Sequence, residues 1–407
     1  MVVIVGAGMA GIATAYYLCK LGTPDLASQV TIVDAVGPAA CSSGTAGAYL
    51  SSHWGDGTKR ESLFRKSFAL HQELAHDLSL QSFQCISSFR VNLSPDDNVG
   101  TPRINEPPAA SDHNWKHGVS SFQSLAGSSA TVDPKESIGA MMDNVLEQGA
   151  SFMIESVNGF GTDAEKRRVT GMAFESGNAL DVGDSEHVVI ALGPWTSRIE
   201  DWFDTPLPIE GVLSTSLIWE NAKNGKFSDI DAALFCHEDS NGCHLEILPR
   251  MDGSLYVSGC GESQVLSPQI FRSPQRPEPQ DACPPSMARA TAAQKSLQSL
   301  GSHFPSNESD GVPDKVMACI RPAAPDDMPI VGKLGKLENV YVATGGGPWG
   351  ITWGPLMGKC MASLLLNESS HAPVRLSSLS PNRFDTLIYR TFLEQRRTRS
   401  TAEPTER

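Results

Sequence analysis

The N-terminal segment places two apolar runs on either side of a glycine-rich turn. Residues 2–5 are continuously apolar, as expected for a strand of a parallel sheet that is buried on both faces. The segment after the turn reads as a helix to about Leu21, and a second apolar run at residues 30–33 ends at Asp34. This separation leaves room for a crossover helix between parallel strands. The pattern therefore predicts a βαβ unit at the N-terminus.

Helices and strands continue to alternate through the next part of the chain. Apolar residues between positions 61 and 80 recur at near-helical spacing, which predicts an amphipathic helix. Asp133 and Pro134 introduce a further helix that ends near Gly149. The strands expected after it are one at residues 151–157, a hairpin at 169–180 and a buried strand at 188–192.

After about Asp201 the pattern changes to alternation of apolar and polar residues. Residues 212–219, 244–248 and 255–259 alternate in this way, which predicts antiparallel strands in the wall of a second domain. A helix is expected at residues 288–300. Strands at residues 315–320 and 340–344 are expected to return the chain to the first domain.

Two stretches interrupt these elements. Residues 92–121 are rich in Pro, Asp, Asn and Ser and predict a long irregular insertion. Residues 263–285 are rich in Pro, and we expect them to form a mobile loop.

Composition and charge limit the possible functions. A chain of 407 residues is too long for one compact core and suits two lobes. A formal net charge of −14 argues against nucleic acids and anionic membranes as partners, since both select for clustered Lys and Arg. The basic cluster at residues 396–399 lies in a polar C-terminal tail, and we interpret it as a solvated end rather than a binding surface.

The cysteines and the apolar segments bear on location. Nine cysteines occur without a CxxC or metal-ligand pattern, which favours a reducing compartment and predicts no metal site. The first strand starts at Val2, which leaves no room for a cleavable signal peptide. No apolar run approaches the ~18 residues that a membrane span needs. We therefore expect a cytoplasmic protein without a transmembrane segment.

The turn after the first strand has the spacing of a dinucleotide-binding motif. Gly6 allows a tight turn, Gly8 lets the backbone approach a pyrophosphate, and Gly11 permits close packing of helix on strand. The helix N-terminus supplies N–H groups for the phosphates, and Asp34 would accept hydrogen bonds from the adenosine ribose. This context predicts a dinucleotide site, but it does not distinguish FAD from NAD.

Four later segments resemble those of one known family. The run from Ala40 to Leu74 (ACSSGTAGAYLSSHWGDGTKRESLFRKSFALHQEL) is similar to the second flavin-binding segment of the D-amino-acid oxidase superfamily. Residues 132–134 and 188–199 (VVIALGPWTSRI) resemble two further family segments. The sequences from Cys319 (CIRPAAPDDMPIVGKL) and Asn339 (NVYVATGGGPWGITWGPLMGKCMASLL) resemble the closing signature of the superfamily. The chain is most similar to its glycine and sarcosine oxidase-like members and to a fungal, plant and protist branch.

The resemblance implies a fold and a cofactor. The fold is α/β, with a Rossmann-type FAD-binding domain and an interleaved antiparallel-sheet substrate domain. The FAD-binding domain is expected at residues 1–84, 132–200 and 315–375, the substrate domain at 85–131, with its insertion, and 201–314, and a C-terminal helix or tail at 376–407. The residues expected to bind FAD are Gly6, Gly8, Met9, Ala10, Gly11, Asp34, Ala35, Ser42, Ser43, Gly44, Ala46, Gly47, Gly193, Trp195, Cys319, Arg321, Gly346, Gly347, Pro348, Trp349, Gly350 and Ile351.

The glycine-rich C-terminal segment has an expected role at the flavin. Glycines at positions 345–347 and 350 let the backbone approach a flat ring, and a helix beginning near Gly354 or Pro355 would point its positive end at the ring. The alternative is that these glycines only allow tight packing of helix on strand. Relatives commonly carry Gly-His-Gly where this chain has Gly346 as the central residue, which leaves the electron acceptor open between oxygen and another compound.

The resemblance also suggests residues that contact the substrate. Arg321 is similar in position to the carboxylate-binding arginine of glycine and D-amino-acid oxidases, and a structural salt bridge is the alternative. Where those enzymes place a tyrosine this chain has Glu246, which would repel a substrate carboxylate, pair with Arg321 or bind a cationic nitrogen. His244 lies one step along the same strand face, and either side chain could take a proton from the substrate amine.

Three further residues have two interpretations each. Cys319 falls where sarcosine oxidases bear the cysteine bonded to the flavin, but such a residue can also be a small buried hydrophobe. His53 and Trp54 follow the second flavin segment and either face the substrate side of the ring or belong to the packed core and the surface.

The activity that the resemblance implies is oxidation of a C–N bond in an amine or amino acid. Hydride passes from the carbon that bears the nitrogen to flavin N5, and water hydrolyses the resulting imine. Two alternatives stay open at this stage: oxidation of the C–O bond of a hydroxy acid, and a non-catalytic flavoprotein that acts in assembly or trafficking. An NAD-dependent dehydrogenase is disfavoured by the flavin-type segments.

Overall fold

A computed structural model describes residues 1–92, 115, 119, 121–184, 186–220, 230–272, 284–300, 304–305 and 311–384. Its helices are α1 Met9–Leu21, α2 Glu61–Asp77, α3 Pro134–Glu147, α4 Ile199–Phe203, α5 Pro268–Arg272, α6 Met287–Gln298 and α7 Gly350–Leu365. Its strands are β1 Val2–Val5, β2 Val30–Asp34, β3 Tyr49–Ser51, β4 Gln84–Cys85, β5 Ser87–Asn92, β6 Ser121–Ser124, β7 Ser129–Thr131, β8 Ser151–Ile154, β9 Val157–Thr162, β10 Val169–Phe174, β11 Ala179–Asp181, β12 His187–Ile190, β13 Glu210–Trp219, β14 Ala232–Cys236, β15 Glu246–Pro249, β16 Leu255–Ser258, β17 Gln264–Leu266, β18 Lys315–Ala323, β19 Ile330–Lys333 and β20 Val340–Thr344.

A six-stranded sheet forms the centre of the first lobe, in the order β19-β20-β12-β1-β2-β8. All neighbours are parallel except β19. Helices α1, α3 and α7 pack on one face, and the small sheet β9–β11 packs on the other. Both faces are therefore covered, which explains why β1 is apolar at every position. The predicted βαβ unit is confirmed.

The strand order places the glycine-rich turn at a switch point. From β1 the chain passes to β2 on one side, whereas the later strands β12 and β20 were added on the other side. In open sheets of this kind ligands bind outside the carboxyl ends of the strands, where the direction of winding changes. The turn after β1 occupies that position.

An eight-stranded sheet forms the second lobe. Its order is β17-β13-β16-β15-β14-β5-β6, with β18 paired to β13. One face packs on α6 and the buried Trp115, and the other faces the first lobe. The predicted antiparallel strands at 212–219, 244–248 and 255–259 are confirmed as β13, β15 and β16.

Strand β18 has a different neighbour from the one expected. The strand forms, but it runs antiparallel along β13, from Lys315 opposite Ile218 to Ala323 opposite Glu210. It therefore extends the sheet of the second lobe, and the chain returns to the six-stranded sheet only with β19 and β20. The domain boundaries themselves stay a prediction.

The segment boundaries agree with local signals, with two corrections. The α3 helix starts at Pro134, and the Asp133 side chain caps it by accepting a hydrogen bond from the Lys135 N–H at 2.7 Å. Helix α7 begins at Gly350 rather than near Gly354, so Pro355 lies inside it. The described residues of the Pro-rich stretch include β17 and α5, where the sequence predicted a mobile loop.

Several expectations fall outside the described residues. These are most of the insertion at residues 92–121, positions 273–283 of the Pro-rich stretch, and the tail with its basic cluster at residues 396–399. The described part of the C-terminal region, up to residue 384, forms short 3-10 turns at Leu376–Ser378 and Pro381–Phe384.

Candidate functional site

A large cavity lies between the carboxyl edge of the six-stranded sheet and the inner face of the eight-stranded sheet. Its volume is about 1160 Å³, above the ~300–1,000 Å³ that is usual for small-molecule sites. The residues predicted to bind FAD or to contact the substrate all line it, apart from Gly11, Gly44, His53 and Gly345. The cavity therefore gathers segments that are far apart in the sequence.

The glycine turn forms one end of the cavity. Gly6 has φ +114°, and a β-carbon there would lie 2.3 Å from the carbonyl oxygen of Ala191. Helix α1 has no side-chain cap and no acidic residue in its first turn. The Met9 N–H donates to the Ser43 hydroxyl at 3.1 Å. This helix N-terminus is suited to binding a phosphate.

Gly11 and Gly44 lie behind the wall of this site and have a structural role. A β-carbon on Gly11 would lie 1.9 Å from the carbonyl oxygen of Gly6, and one on Gly44 would lie 2.0 Å from that of Ala39. Both glycines thus allow backbone segments to pack closely behind the cavity wall. Neither presents an atom to the cavity lining.

Asp34 lies at the carboxyl end of β2 and is held by backbone donors. Its Oδ2 accepts from the Ala7 N–H at 2.7 Å, and its Oδ1 accepts from the N–H groups of Val36 and Gly37, each at 2.9 Å. An ionised carboxylate offers about four acceptor sites, so acceptor capacity remains for hydroxyl donors. The side chain lines the cavity at a fixed position.

The C-terminal glycine segment forms a second wall. Gly347–Trp349 make a 3-10 turn that leads into α7, whose first turn has no side-chain cap and no acidic residue. A β-carbon on Gly346 would lie 2.7 Å from the Cα atom of Gly350. A side chain at position 346 would therefore require this turn to shift.

The inner face of the eight-stranded sheet forms the third wall. Phe235 on β14 lies opposite Glu246 on β15, and Glu246 lies opposite Ser258 on β16, so the three side chains form a row. The Ser258 hydroxyl donates to Glu246 Oε2 at 2.8 Å. Glu246 is partly buried, whereas His244 is exposed at the start of the same segment.

Arg321 projects from β18 into the same cavity. Its Nη2 donates to the Ser263 hydroxyl at 3.3 Å, and it makes no ion pair with any residue that the structure describes. Three strand steps separate it from Glu246 (β18, β13, β16, β15), or about 14 Å across the sheet. The expected alternatives of a structural salt bridge, or of pairing with Glu246, are therefore not seen in the described part of the chain.

Some of the aromatic residues that line the cavity were not predicted from the sequence. Tyr49, Trp54 and Phe235 all line the cavity, and only Trp54 was considered. His53 does not line it, and its Nδ1 lies 2.5 Å from the Ser52 hydroxyl. Tyr49 lies within the second flavin-binding segment, two residues after Gly47, which is a signal that could have been used. Phe235 carries no local signal, because its position depends on the pairing of β14 with β15.

Comparison with known proteins identifies the family. The profile described as FAD dependent oxidoreductase, DAO, matches residues 1–364. The chain belongs to the DAO family of FAD-dependent oxidoreductases. A proposed oxidoreductase of Schizosaccharomyces pombe is 23% identical over 389 residues, 90% of this chain and 94% of the relative. Monomeric sarcosine oxidase of Bacillus sp. strain NS-129 is 21% identical over 403 residues, 93% of this chain and 96% of that enzyme.

A solved structure supports the same fold. L-proline dehydrogenase of P. horikoshii superposes with a TM-score of 0.70 at 18% identity, covering 94% of this chain and 97% of that one. The expected α/β architecture with a Rossmann-type FAD domain is confirmed. As a DAO-family enzyme this chain is a FAD-dependent oxidoreductase, and the predicted cofactor is confirmed as FAD.

The cavity fits FAD in both size and chemistry. The open N-terminus of α1, with Gly8 beside it, is where the pyrophosphate would bind, and the fixed carboxylate of Asp34 would accept from the ribose. The backbone from Gly346 to Ile351 would contact the isoalloxazine ring, because three of its six residues are glycines and leave the backbone open to the cavity. The N-terminus of α7 would then direct its positive end toward a ring that gains negative charge on reduction.

Cys319, for which the resemblance to sarcosine oxidases suggested attachment to the flavin, lines this cavity. Burial raises the pKa of its thiol, although the positive charge of Arg321 acts in the opposite direction. Its Sγ lies 3.8 Å from the carbonyl oxygen of Ser42. The neutral thiol is thus favoured over the thiolate that attachment would need.

Two further features concern location and metals. Among the described residues, no helix is both long and apolar enough to cross a membrane. No cluster of metal ligands occurs in the same part of the chain. The cytoplasmic location of this DAO-family enzyme stays a prediction.

Proposed function

We propose that this enzyme oxidises the C–N bond of an amine or amino acid. When bound, FAD would supply the chemistry by accepting a hydride from the carbon that bears the nitrogen. The protein binds and orients the substrate, excludes water and moves the substrate proton. The observation that carries the proposal is the carboxylate of Glu246, which lines the same cavity as the C-terminal glycine segment.

Glu246 is suited to managing the proton of an amine. A substrate amine enters mainly protonated at neutral pH, but it must be neutral to lose a hydride from the adjacent carbon. Glu246 faces the cavity and keeps free lone pairs beyond the one that accepts from Ser258. It can therefore bind the ammonium group and then accept its proton. His244, at the exposed end of the same face, can carry the proton onward to solvent.

Arg321 extends the proposal to amino acids. A guanidinium stays charged and binds a carboxylate through two parallel hydrogen bonds. Because Arg321 makes no ion pair with a described residue, its fork is available to a ligand in the cavity. Arg321 and Glu246 approach this space from strands three steps apart, so a substrate whose carboxylate and nitrogen are well separated could be bound by both.

The relatives support a nitrogen compound as substrate. Two proteins to which this chain is similar, a sarcosine oxidase and an L-proline dehydrogenase, act on amino acids. One of these relatives is an oxidase and the other a dehydrogenase, so the proposal includes both oxygen and other compounds as the electron acceptor.

A substrate panel tests the proposal. The purified FAD-loaded enzyme is mixed anaerobically with primary, secondary and tertiary amines, amino acids and hydroxy acids, and the flavin absorbance near its visible maximum is followed. We expect bleaching with an amine or amino acid, and turnover with either oxygen or a dye acceptor. Bleaching by hydroxy acids alone would favour C–O oxidation. A flavin that no compound bleaches would favour the non-catalytic assembly or trafficking role.

A further inference from the structure

Four aromatic rings form a continuous surface in the cavity, here called the aromatic wall: Tyr49, Trp54, Phe235 and Trp349. Trp54 is central, with its ring centroid 5.7 Å from Tyr49, 4.8 Å from Phe235 and 5.4 Å from Trp349. The Tyr49 and Phe235 centroids lie 4.9 Å apart. Trp54 is 37% exposed, which is unusual for a ring in contact with three others. Its free surface is therefore available to a ligand.

The wall is held in place from behind. The Tyr49 hydroxyl is hydrogen-bonded to the hydroxyls of Ser88 at 2.8 Å and Ser129 at 3.0 Å. The Phe64 ring packs edge-on against Trp349, with centroids 5.0 Å apart. A ligand that meets these rings does not have to order them first, so little entropy is lost on binding.

A carboxylate stands directly beside this wall. Glu246 lies opposite Phe235 in the antiparallel pair β14–β15, and directly opposed residues have Cβ atoms about 4.5–5.5 Å apart. Burial raises the pKa of the Tyr49 phenol, and the negative charge of Glu246 raises it further, which places that charge near the wall. The only hydrogen-bond donor to Glu246 among the described residues is Ser258.

Among the described residues, no positively charged side chain is paired with the carboxylate of Glu246. No Lys or Arg among the described residues forms an ion pair with it, and Arg321 is separated from it by three strand steps. Arg289 also lines the cavity, but its guanidinium is placed against Gly261. A half-buried carboxylate without a counter-ion favours a cationic ligand.

We propose that the aromatic wall and Glu246 form a subsite for an alkylated ammonium group, so that the substrate is a secondary or tertiary amine with N-methyl or similar substituents. The faces of Trp and Tyr rings attract cations, and alkyl groups on the nitrogen are buried against the rings. A primary ammonium would lose more hydration in such a site, because it keeps three strongly hydrated N–H groups. This inference rests on the proposed function for its substrate role.

Binding of a cation that cannot be oxidised tests the subsite separately from turnover. Tetramethylammonium is titrated into the FAD-loaded enzyme at constant ionic strength, and tryptophan fluorescence and the flavin spectrum are recorded. tert-Butanol, a neutral compound of similar size, is the ligand control. We expect tetramethylammonium to bind at least about tenfold more tightly than tert-butanol, the difference expected for a cation that gains a carboxylate and π faces.

Matched variants locate the interaction. Glu246→Gln should weaken tetramethylammonium binding about fivefold or more, whereas Glu262→Gln, the same change on an exposed residue of the same cavity, should have little effect. Trp54→Leu should weaken it by a similar factor, and Trp54→Phe, which keeps a π face, should retain most of the affinity. The retained affinity of Trp54→Phe separates loss of the ring from loss of the fold.

The outcomes distinguish this inference from the proposed function. Equal binding of the cation and the neutral compound, or an unchanged affinity in Glu246→Gln, would overturn the subsite even if amines are oxidised. Selective cation binding without bleaching by any amine would support the subsite and overturn the proposed function. If both hold, secondary and tertiary amines should give the highest kcat/KM in the substrate panel.

Discussion

The Nε2 atom of His71 donates a hydrogen bond to the carbonyl oxygen of Ile351 at 3.0 Å, and Thr352 O lies 3.2 Å from the same nitrogen. Ile351 is in the first turn of α7, and the residue four positions later is Pro355. Proline has no N–H, so the Ile351 carbonyl lacks its helical donor. The buried imidazole supplies that donor from α2. It thereby stabilises the helix start that faces the expected flavin.

Removal of this imidazole should destabilise the protein. His71→Leu leaves the Ile351 carbonyl unpaired, and an unsatisfied buried group costs about 1–3 kcal/mol. Pro355→Ala restores an N–H at the position from which the carbonyl can be reached. We therefore expect the double variant to recover part of the free energy of unfolding lost in His71→Leu, as measured by urea denaturation. If Pro355→Ala changes the free energy of unfolding by the same amount in the natural protein and in His71→Leu, His71 does not act through this carbonyl.

The same residue predicts a dependence of stability on pH. Burial lowers the pKa of His71 from its ordinary 6.5 to about 4, although its hydrogen bonds to Ile351 and Thr352 oppose the shift. The unfolded chain binds the proton more readily, so the contribution is complete above pH 6.5 and is lost as pH falls toward 4. Between pH 7 and pH 5 the loss should be about 2 kcal/mol. In His71→Leu the free energy of unfolding should fall less over this interval, and an identical slope would contradict the assignment.

Elements that depend on neighbouring residues could be predicted from the sequence. The strand, turn and helix around Gly6 and Gly8 follow from an apolar run and three glycines at fixed spacing. The α3 start follows from Asp133 and Pro134, whose capping and fixed φ act within one turn. The segments predicted to bind the cofactor each carry their own local pattern, and the structure brings them together around one cavity. Their contacts with FAD stay a prediction.

Features that depend on distant partners could not be predicted. Pro355 looked like a helix start, since the histidine that compensates for its missing N–H is far away in the sequence. Strand β18 was assigned to the first lobe because nothing in its own residues specifies β13 as its neighbour. For the same reason Phe235 was not predicted to line the cavity, because it meets Trp54 only through the pairing of strands in the second lobe.

Alanine substitutions at Gly8 and Gly11, in the turn after β1, should have different effects. Gly8 has φ −79° and ψ −177°, which alanine adopts without strain, and a β-carbon there would lie 3.1 Å from the Ser43 hydroxyl. Gly8→Ala should therefore fold, but its methyl group would crowd the phosphate site and raise the Kd for FAD about tenfold. Gly11→Ala should instead lower the melting temperature, because its β-carbon would lie 1.9 Å from the Gly6 carbonyl oxygen.

Titration of the apoprotein with FAD, followed by flavin fluorescence, measures the first effect, and thermal unfolding of the apoprotein measures the second. An unchanged FAD affinity in Gly8→Ala would show that the pyrophosphate does not approach this backbone. A large loss of stability in that variant would mean that the turn has a packing role at Gly8 as well.

The environment of Cys319 predicts that FAD is bound without a covalent bond. Burial raises the pKa of the thiol, which disfavours the thiolate needed to attack the flavin. Precipitation of the enzyme with acid should leave a colourless pellet and release all of the FAD to the supernatant. A yellow pellet in the natural protein that turns colourless in Cys319→Ser would contradict this prediction and establish the thioether.

Substitution of Arg321 should lower kcat/KM for substrates that bear a carboxylate more than for simple amines. Its guanidinium lines the cavity and makes no ion pair with a described residue. Removing a charged hydrogen-bonding partner costs about 1.5–3 kcal/mol, or about 10- to 100-fold in kcat/KM. Arg321→Ala should show this loss for an N-methyl amino acid, and a change below about threefold for the corresponding amine without a carboxylate.

Two control variants make the Arg321 prediction specific. Arg321→Lys keeps the charge but loses the two-pronged geometry, so its kcat/KM for the amino acid should lie between those of the natural protein and Arg321→Ala. Arg289→Ala removes another guanidinium from the same cavity and should not change the preference between the two substrates. If Arg321→Ala lowers kcat/KM equally for both, the arginine supports the sheet through Ser263 and does not bind the carboxylate.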